Sequence, residues 1–271
     1  MKNFGGKAAF ITGGASGIGL GIARAVAEEG MKVALADIDE RALEQAVSGL
    51  RQLGAEVMAV CLDVTDRDGW RRAAHEVPAT IGPVRLLVNN AGVSTNGMPF
   101  GEITPELWDR VININLTGVY NGVYHFVDGM RAAGGGHIVN TSSMGGLLGA
   151  SLLAPYVATK FAVVGLSESL RLELADSGVG VSVLCPGGVR TSIWRTSRPV
   201  RGLPDTETPP DDVSGQSARA TMDPFEVGRR VVDGIRADEP YIVTHPEFRE
   251  VIADRHERLM ASFARAGAFD G

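Results

Sequence analysis

Short apolar runs alternate along this chain with longer stretches whose apolar residues recur every three or four positions. Ala8-Ala9-Phe10-Ile11, Val33-Ala34-Leu35-Ala36, Val57 to Leu62, Leu86-Leu87-Val88, His137 to Thr141, Val179 to Leu184 and Tyr241 to Val243 have the length and apolar content of strands. Between them, Ile22, Val26 and Ala27 follow a glycine-rich turn at helical spacing and give way to Gly30, a C′ residue. Arg41 to Leu53 is a second helical stretch, and a third is capped by Asp66 and ends near Ile81 at Gly82-Pro83. Thr104-Pro105-Glu106 supplies the cap, N1 proline and first-turn acid of a helix that carries Asn113 and Asn115 toward Arg131. Val163, Leu166, Leu170 and Leu174 form the buried stripe of a helix that opens near Tyr156, and Pro224 to Ala237 and Glu247 to Phe263 predict two more. Strands and helices in this alternation predict βαβ units. The expected fold class is α/β, a doubly wound parallel sheet of about seven strands with helices on both faces.

The pattern fails from about Thr196 to Met222, where Pro199, Gly202, Pro204, Pro209, Pro210 and Gly215 are scattered among polar residues. A long aperiodic stretch directly after a strand end is a functional loop, and residues 192–222, with Ile193, Trp194 and Leu203, are expected to form a substrate lid. The 271 residues fit one domain, 1–271, with 223–271 as a C-terminal extension at the substrate site or an interface. The stripe Val251, Ile252, Leu259 and Phe263 suits an interface or a cover for the sheet. A formal charge of −6 offers no basic field for a phosphate backbone, so a nucleic-acid partner is not expected. The chain holds no apolar run near eighteen residues and enters its first strand without a leader-like segment, which predicts no membrane association and a cytoplasmic protein. Cys61 and Cys185 both lie in apolar runs and read as buried thiols of a reducing compartment. Histidines 75, 125, 137, 245 and 256 lack metal-ligand spacing, so no metal is expected. No Gly-x-Ser-x-Gly elbow and no Gly-Lys-Ser/Thr loop occurs, which disfavours a serine hydrolase and a P-loop enzyme.

The distinctive residues collect at the predicted carboxyl ends of strands, where open α/β sheets bind ligands. Gly13, Gly17 and Gly19, with Ser16 and Ile18 between and beside them, turn the first strand into the first helix, a context that suits a dinucleotide pyrophosphate. Asp37 ends the second strand, placed to accept hydrogen bonds from an adenosine ribose; Ile38 follows it where an arginine would favour a 2′-phosphate, so NAD is the expected cofactor. Asp63-Val64 ends the third strand and can meet an adenine or cap the next helix. Asn90-Ala91-Gly92 ends the fourth, as a turn or a backbone wall beside a cofactor. Tyr156 and Lys160 stand at i and i+4 near a helix start, which puts a phenol and an ammonium on one face. Ser142-Ser143 precede them at the end of the fifth strand.

Taken together, Thr12-Gly13-Gly14-Ala15-Ser16-Gly17-Ile18-Gly19, Asn89-Asn90-Ala91-Gly92, Asn115, Ser143, Tyr156-x-x-x-Lys160 and Pro186-Gly187 resemble the short-chain dehydrogenase/reductase family over roughly Gly6 to Thr191. The resemblance implies a single-domain Rossmann fold and hydride transfer between NAD and a secondary alcohol or ketone. It implies Tyr156 as the acid/base, Lys160 as the cation that lowers its pKa and holds the nicotinamide ribose, Ser143 as the substrate contact, and Asn115 as the holder of a relay water. Ser143, thirteen residues before Tyr156, is selected over Ser142 on this basis. Pro186, Gly187, Val189 and Thr191 become cofactor contacts, and a homo-oligomer, tetramer or dimer, is implied. Glu226-Val227-Gly228 and Tyr241 to His245 are more distantly similar to bacterial aryl-ether Cα-dehydrogenases, which points to a bulky aryl, terpenoid or steroid-like alcohol. Two rival readings stay open on the motifs: a non-catalytic NAD(H)-binding redox regulator, and an epimerase or dehydratase of nucleotide sugars.

Overall fold

A computed structural model of the protein describes residues 1–95, 97–202 and 221–267. Seven parallel strands, β1 (Ala8–Thr12), β2 (Lys32–Asp37), β3 (Val57–Cys61), β4 (Val84–Asn89), β5 (Gly136–Thr141), β6 (Val179–Cys185) and β7 (Tyr241–Val243), form one sheet in the order β3-β2-β1-β4-β5-β6-β7. β1 pairs with β2 on one side and β4 on the other, so the order reverses there and opens a crevice above its carboxyl end.

Alternation along β1 assigns each face its core. Ala9 and Ile11 pack with Ile22 and Val26 of α1 (Gly17–Glu28), Leu43 of α2 (Glu40–Gln52) and Val231 of α8 (Pro224–Ala237). Ala8 and Phe10 point the other way, to Trp70 of α3 (Arg67–Ile81) and Phe126 of α5 (Gly118–Ala132). Phe10 and Phe126 have ring centroids 4.7 Å apart, and the Trp70 indole also donates to the Val64 carbonyl at 2.9 Å, which leaves no polar atom of that large side chain unpaired. The long helix α6 (Ala154–Glu173) lies on this side against β5 and β6.

The sequence pattern predicts one helix from Thr104 toward Arg131. The structure divides it into α4 (Pro105–Ile112), a π-turn at Asn113–Thr117 and α5. The extra residue in that turn brings Asn115 inward, fully buried, where its amide can reach two other segments. Within the aperiodic stretch, a short helix α7 (Ile193–Thr196) and a 3-10 turn at Pro199–Arg201 form; Leu203 lies outside the described residues. The last helix, α9 (Arg249–Gly267), starts two residues later than expected, after a 3-10 turn at Pro246–Phe248, and is exposed over most of its length. Cys185 is buried as expected, but Cys61 is exposed: β3 is the edge strand, and every second residue along it faces outward.

Candidate active site

The glycine turn is locked to both neighbouring strands. Gly13 (φ 62°) and Gly17 (φ 51°) occupy left-handed backbone that only glycine adopts without strain, while Gly14 N–H donates to Ala36 O (3.1 Å) and Ala15 N–H to the Asp37 carboxylate (3.1 Å). Gly19 sits in the first turn of α1 against the Gly13 carbonyl, and Ile18 packs into the core beneath. Ser16 is the N-cap of α1 yet makes no side-chain capping bond; its hydroxyl faces that of Ser192 at 3.4 Å. The helix start is therefore open to an anion rather than filled by its own side chain. Beside it lies a cavity of about 680 Å³ lined by Ser16, Gly17, Thr191, Ser192, Trp194 and Arg195. The open helix start and left-handed glycines fit a dinucleotide's pyrophosphate, and Asp37 adjoins the turn through Ala15. The second Asp37 oxygen accepts from Asp39 N–H (3.1 Å), so the carboxylate is oriented by two backbone donors and keeps lone pairs for a ribose. Ile38 is exposed beside it.

Asp63 does not take the helix-capping role. Its Oδ1 accepts the backbone and hydroxyl protons of Thr65, an exposed local turn, while Asp66 caps α3. Val64 is buried and gives its carbonyl to Trp70 and Asn121.

Asn90 staples the crevice. Its backbone N–H and that of Ala91 donate to the Thr12 hydroxyl (2.9 and 3.1 Å), its Nδ2 donates to the Thr12 and Gly13 carbonyls (3.0 and 3.3 Å), and its Oδ1 accepts from Thr141 (3.5 Å). Thr141 O in turn accepts from Lys160 Nζ at 2.9 Å. Gly92 lies next to both Asn115 and Lys160. The Asn115 amide accepts from Val93 N–H (2.8 Å) and donates to Val93 O (2.9 Å) and Thr159 Oγ1 (3.2 Å); both its protons are committed, and its Oδ1 keeps one acceptor position. Thr159 itself donates to Tyr156 O at 2.7 Å, so the residue inside the Tyr-x-x-x-Lys motif ties Asn115 to the tyrosine.

The two serines separate cleanly. Ser142 is buried and donates to the Lys160 carbonyl (2.8 Å), a structural bond that holds α6 against β5. Ser143 stands at the crevice, caps the following turn through Gly145 N–H (3.1 Å) and lies near enough to Tyr156 to favour its phenolate. Lys160 Nζ lies 5.5 Å from the centroid of the Tyr156 ring. Burial raises the Tyr156 pKa above its ordinary 10.0, with the Ser143 hydroxyl pulling the other way. This corrects the expected depression by Lys160: without a bound coenzyme, desolvation of the phenolate prevails. Lys160 is itself pushed down to about 8 by burial, opposed by its charge interaction with Cys185, and the buried Cys185 thiol is pushed up to about 12. Among the described residues no three His, Cys, Asp or Glu side chains converge as a metal site, and no helix is long and apolar enough to cross a membrane.

Pro186 O accepts Met144 N–H (2.8 Å) and lies 3.5 Å from Ser143 Oγ; Val189 pairs with Met222, and Thr191 packs on Gly17. Ser143, the tyrosine–lysine helix and the β6 turn thus meet at one end of the sheet. Three supporting residues receive no role from the sequence reading: Thr12 and Thr159, which lie inside motifs, and His245, whose imidazole bonds to Gly187 and Gly188. A polar residue ending an apolar strand was the one available signal for Thr12; a lone histidine among five gave none.

Fold and site define a nicotinamide-dinucleotide oxidoreductase of the Rossmann type. Residues 7–201 match the short chain dehydrogenase family, and the chain belongs to it. It is a dehydrogenase that interconverts a secondary alcohol and a ketone with a nicotinamide coenzyme. A C alpha-dehydrogenase of Sphingobium sp. (strain NBRC 103272 / SYK-6) is 37% identical over 272 residues, covering 97% of this chain and 88% of its own. A 3-alpha-(or 20-beta)-hydroxysteroid dehydrogenase of Mycobacterium bovis is 36% identical over 90% of this chain and 87% of its own. The crystal structure of a short chain dehydrogenase/reductase from Burkholderia phymatum in complex with NAD superposes with a TM-score of 0.87 at 36% identity, covering 97% of both chains.

The Lys160 environment sets a pH test. Between pH 8 and 10.5 the unfolded chain holds a proton on this lysine that the folded chain has released, so folding stability rises with pH across that window. Urea denaturation of the wild type and Lys160→Met should give a stability difference that shifts in favour of the wild type by up to about 3 kcal/mol from pH 8 to 10.5; a pH-independent difference would show that the ammonium is not desolvated.

Proposed function

We propose that this dehydrogenase uses NAD to oxidise a bulky, partly apolar secondary alcohol at a centre made of Ser143, Tyr156 and Lys160. The observation that carries the reading is their meeting at the carboxyl end of the sheet, with Ser143 and Tyr156 converging around Gly145 and a buried ammonium 5.5 Å from the Tyr156 ring on the next turn of the same helix. The bound coenzyme supplies the hydride acceptor. Ser143 donates to the substrate oxygen and holds it against the Tyr156 hydroxyl. Tyr156 takes the alcohol proton, and its phenolate would be favoured by the positive charge of Lys160 and, when bound, of the oxidised nicotinamide. Lys160 also reaches the ribose side of the crevice. Asn115 fixes Val93 and Gly92 beside that ammonium, and its remaining Oδ1 acceptor position serves a water that returns protons to Lys160.

NAD over NADP is supported by Asp37, whose carboxylate, held by Ala15 and Asp39, meets a ribose diol with acceptors and a 2′-phosphate with like charge. Gly13, Ser16, Gly17, Ile18 and Gly19 hold the pyrophosphate, Asp63-Val64 borders the adenine, and Asn90-Ala91-Gly92 and Pro186, Gly187, Val189 and Thr191 line the nicotinamide half. An aryl or polycyclic alcohol is supported by Ile193 and Trp194 on the segment over the cavity and by the relatives named for Cα and hydroxysteroid oxidation. Of the expected lid, 192–222, residues 203–220 lie outside the described residues; its described part, 192–202, borders the candidate site, and the described part of 223–271 is proposed as an extension for substrate and subunit contact. A homo-oligomer is supported by α9, which exposes Val251, Leu259 and Phe263; an isolated helix of this length is marginal in water without a packed face. A cytoplasmic location fits two unpaired cysteines.

Tyr156→Phe should abolish reduction of NAD with any secondary alcohol while NADH binding, read by fluorescence, stays within about twofold; retained turnover would sink the acid/base role. For Asp37→Ala, the ratio of kcat/KM for NAD to that for NADP should fall by about tenfold or more, the worth of one charge-assisted hydrogen bond, and an unchanged ratio would remove Asp37 from the ribose site. Light scattering on the double variant L259D/F263D should report a smaller assembly than the wild type; the same mass for both would take α9 out of the interface.

A further inference from the structure

His245 stands just beyond β7, outside every motif that the chemistry uses, and is 7% exposed. Both ring nitrogens are engaged by consecutive peptide groups of the turn that follows β6. Gly187 N–H donates to His245 Nδ1 (3.0 Å), and His245 Nε2 donates to Gly188 O (3.0 Å). The Thr244 hydroxyl lies 2.6 Å from the same Nδ1. The imidazole is thus an acceptor on one side and a donor on the other, a pairing that matches one peptide N–H and one peptide C=O in succession. The fit is tight: a Cβ on Gly187 would come 2.7 Å from the imidazole Cγ, and Phe248 closes the other side, ring centroid 6.5 Å away.

The turn so held is not an arbitrary loop. One residue before it, Pro186 O accepts Met144 N–H and lies against Ser143; one residue after it, Val189 begins the segment through Thr191 that packs on Gly17. His245 is itself anchored, since Arg230 of α8 donates to Thr244 O at 2.7 Å and α8 packs on α1 through Gly228 and Gly21. A closed path therefore runs from the coenzyme helix α1, through α8 and His245, to the turn between Ser143 and the nicotinamide segment.

We propose that His245 is a positioning residue of this dehydrogenase, fixing the Gly187-Gly188 peptide groups and with them the nicotinamide-side wall of the coenzyme site. The inference rests on the reading of residues 186–191 as coenzyme contacts. A buried histidine that only filled space would be replaceable by any ring of similar volume; a positioning one is not, because both bonds are lost together.

The test compares H245F, which keeps the ring and removes both nitrogens, with H245N, whose amide oxygen falls where Nδ1 stands. In the coenzyme-free protein, the Gly187 amide of H245F should exchange with solvent about tenfold faster or more, the value of one buried hydrogen bond. NADH should bind H245F about tenfold more weakly, with KM for NAD rising further than kcat falls, and H245N should restore both readouts most of the way. Unchanged exchange and NADH affinity in folded H245F, or H245N no better than H245F, would overturn the proposal. If H245F does not fold, H245L replaces it, since it offers neither an acceptor to Gly187 nor a donor to Gly188; equal Gly187 exchange in H245L and H245N would then overturn it. Wild type that binds NADH but turns over no secondary alcohol would instead overturn the activity reading, and fast Gly187 exchange with unchanged NADH affinity in H245F would remove 186–191 from the coenzyme site.

Discussion

A line of hydrogen bonds from Thr12 through Asn90 and Thr141 to Lys160 crosses the carboxyl ends of β1, β4 and β5 and ends on α6. Everything that acts chemically in this protein hangs on it. Two strands that part company at a reversal of sheet order leave their terminal peptide groups without the next ladder partner, and a buried peptide group without a partner costs about as much as a lost hydrogen bond. Here those groups are met by side chains from the opposite wall, Thr12 from β1 and Asn90 from β4. The crevice stays open for a ligand without leaving its rims unsatisfied, and the glycine turn keeps its position relative to the lysine.

A second buried polar line runs deeper. Asn89 donates to Asn140 (2.9 Å), Asn140 to Ser167 (3.0 Å) and Ser167 to the Val163 carbonyl one turn back on α6 (2.7 Å). Together with the Ser142–Lys160 bond it fixes the rotation and the height of α6 on the sheet. An apolar face alone would hold this helix in place only loosely, because hydrophobic burial is non-directional. Directional bonds in a low-dielectric interior select one register, and that register decides whether the Tyr156 hydroxyl meets Ser143. The desolvation that lowers the Lys160 pKa is a consequence of the same docking.

Strand and helix alternation, the reversal that a doubly wound sheet requires, and the glycine, serine, tyrosine and lysine positions were all legible, because each follows from local spacing or from motifs in order. The π-turn at Asn113–Thr117 was not: its residues keep helical periodicity on both sides, and the one-residue slip is driven by the partners Asn115 finds at Val93 and Thr159. The exposure of Cys61 was not either, since an apolar run reads the same on an edge strand as on a central one. The i, i+4 spacing shows the charge beside Tyr156 but not the burial that raises its pKa.

The sequence by itself determined the class of fold, the order of the chemistry-bearing residues along it and the family to which it belongs, since periodicity and motif spacing are properties of neighbours in the chain. Only the tertiary structure decided that Ser142 holds the Lys160 carbonyl, how Asn115 spends its amide, and that His245 reaches back across 58 residues to Gly187. Those are contacts between distant segments. Their geometry is set by how helices settle on a twisted sheet, which no local pattern encodes.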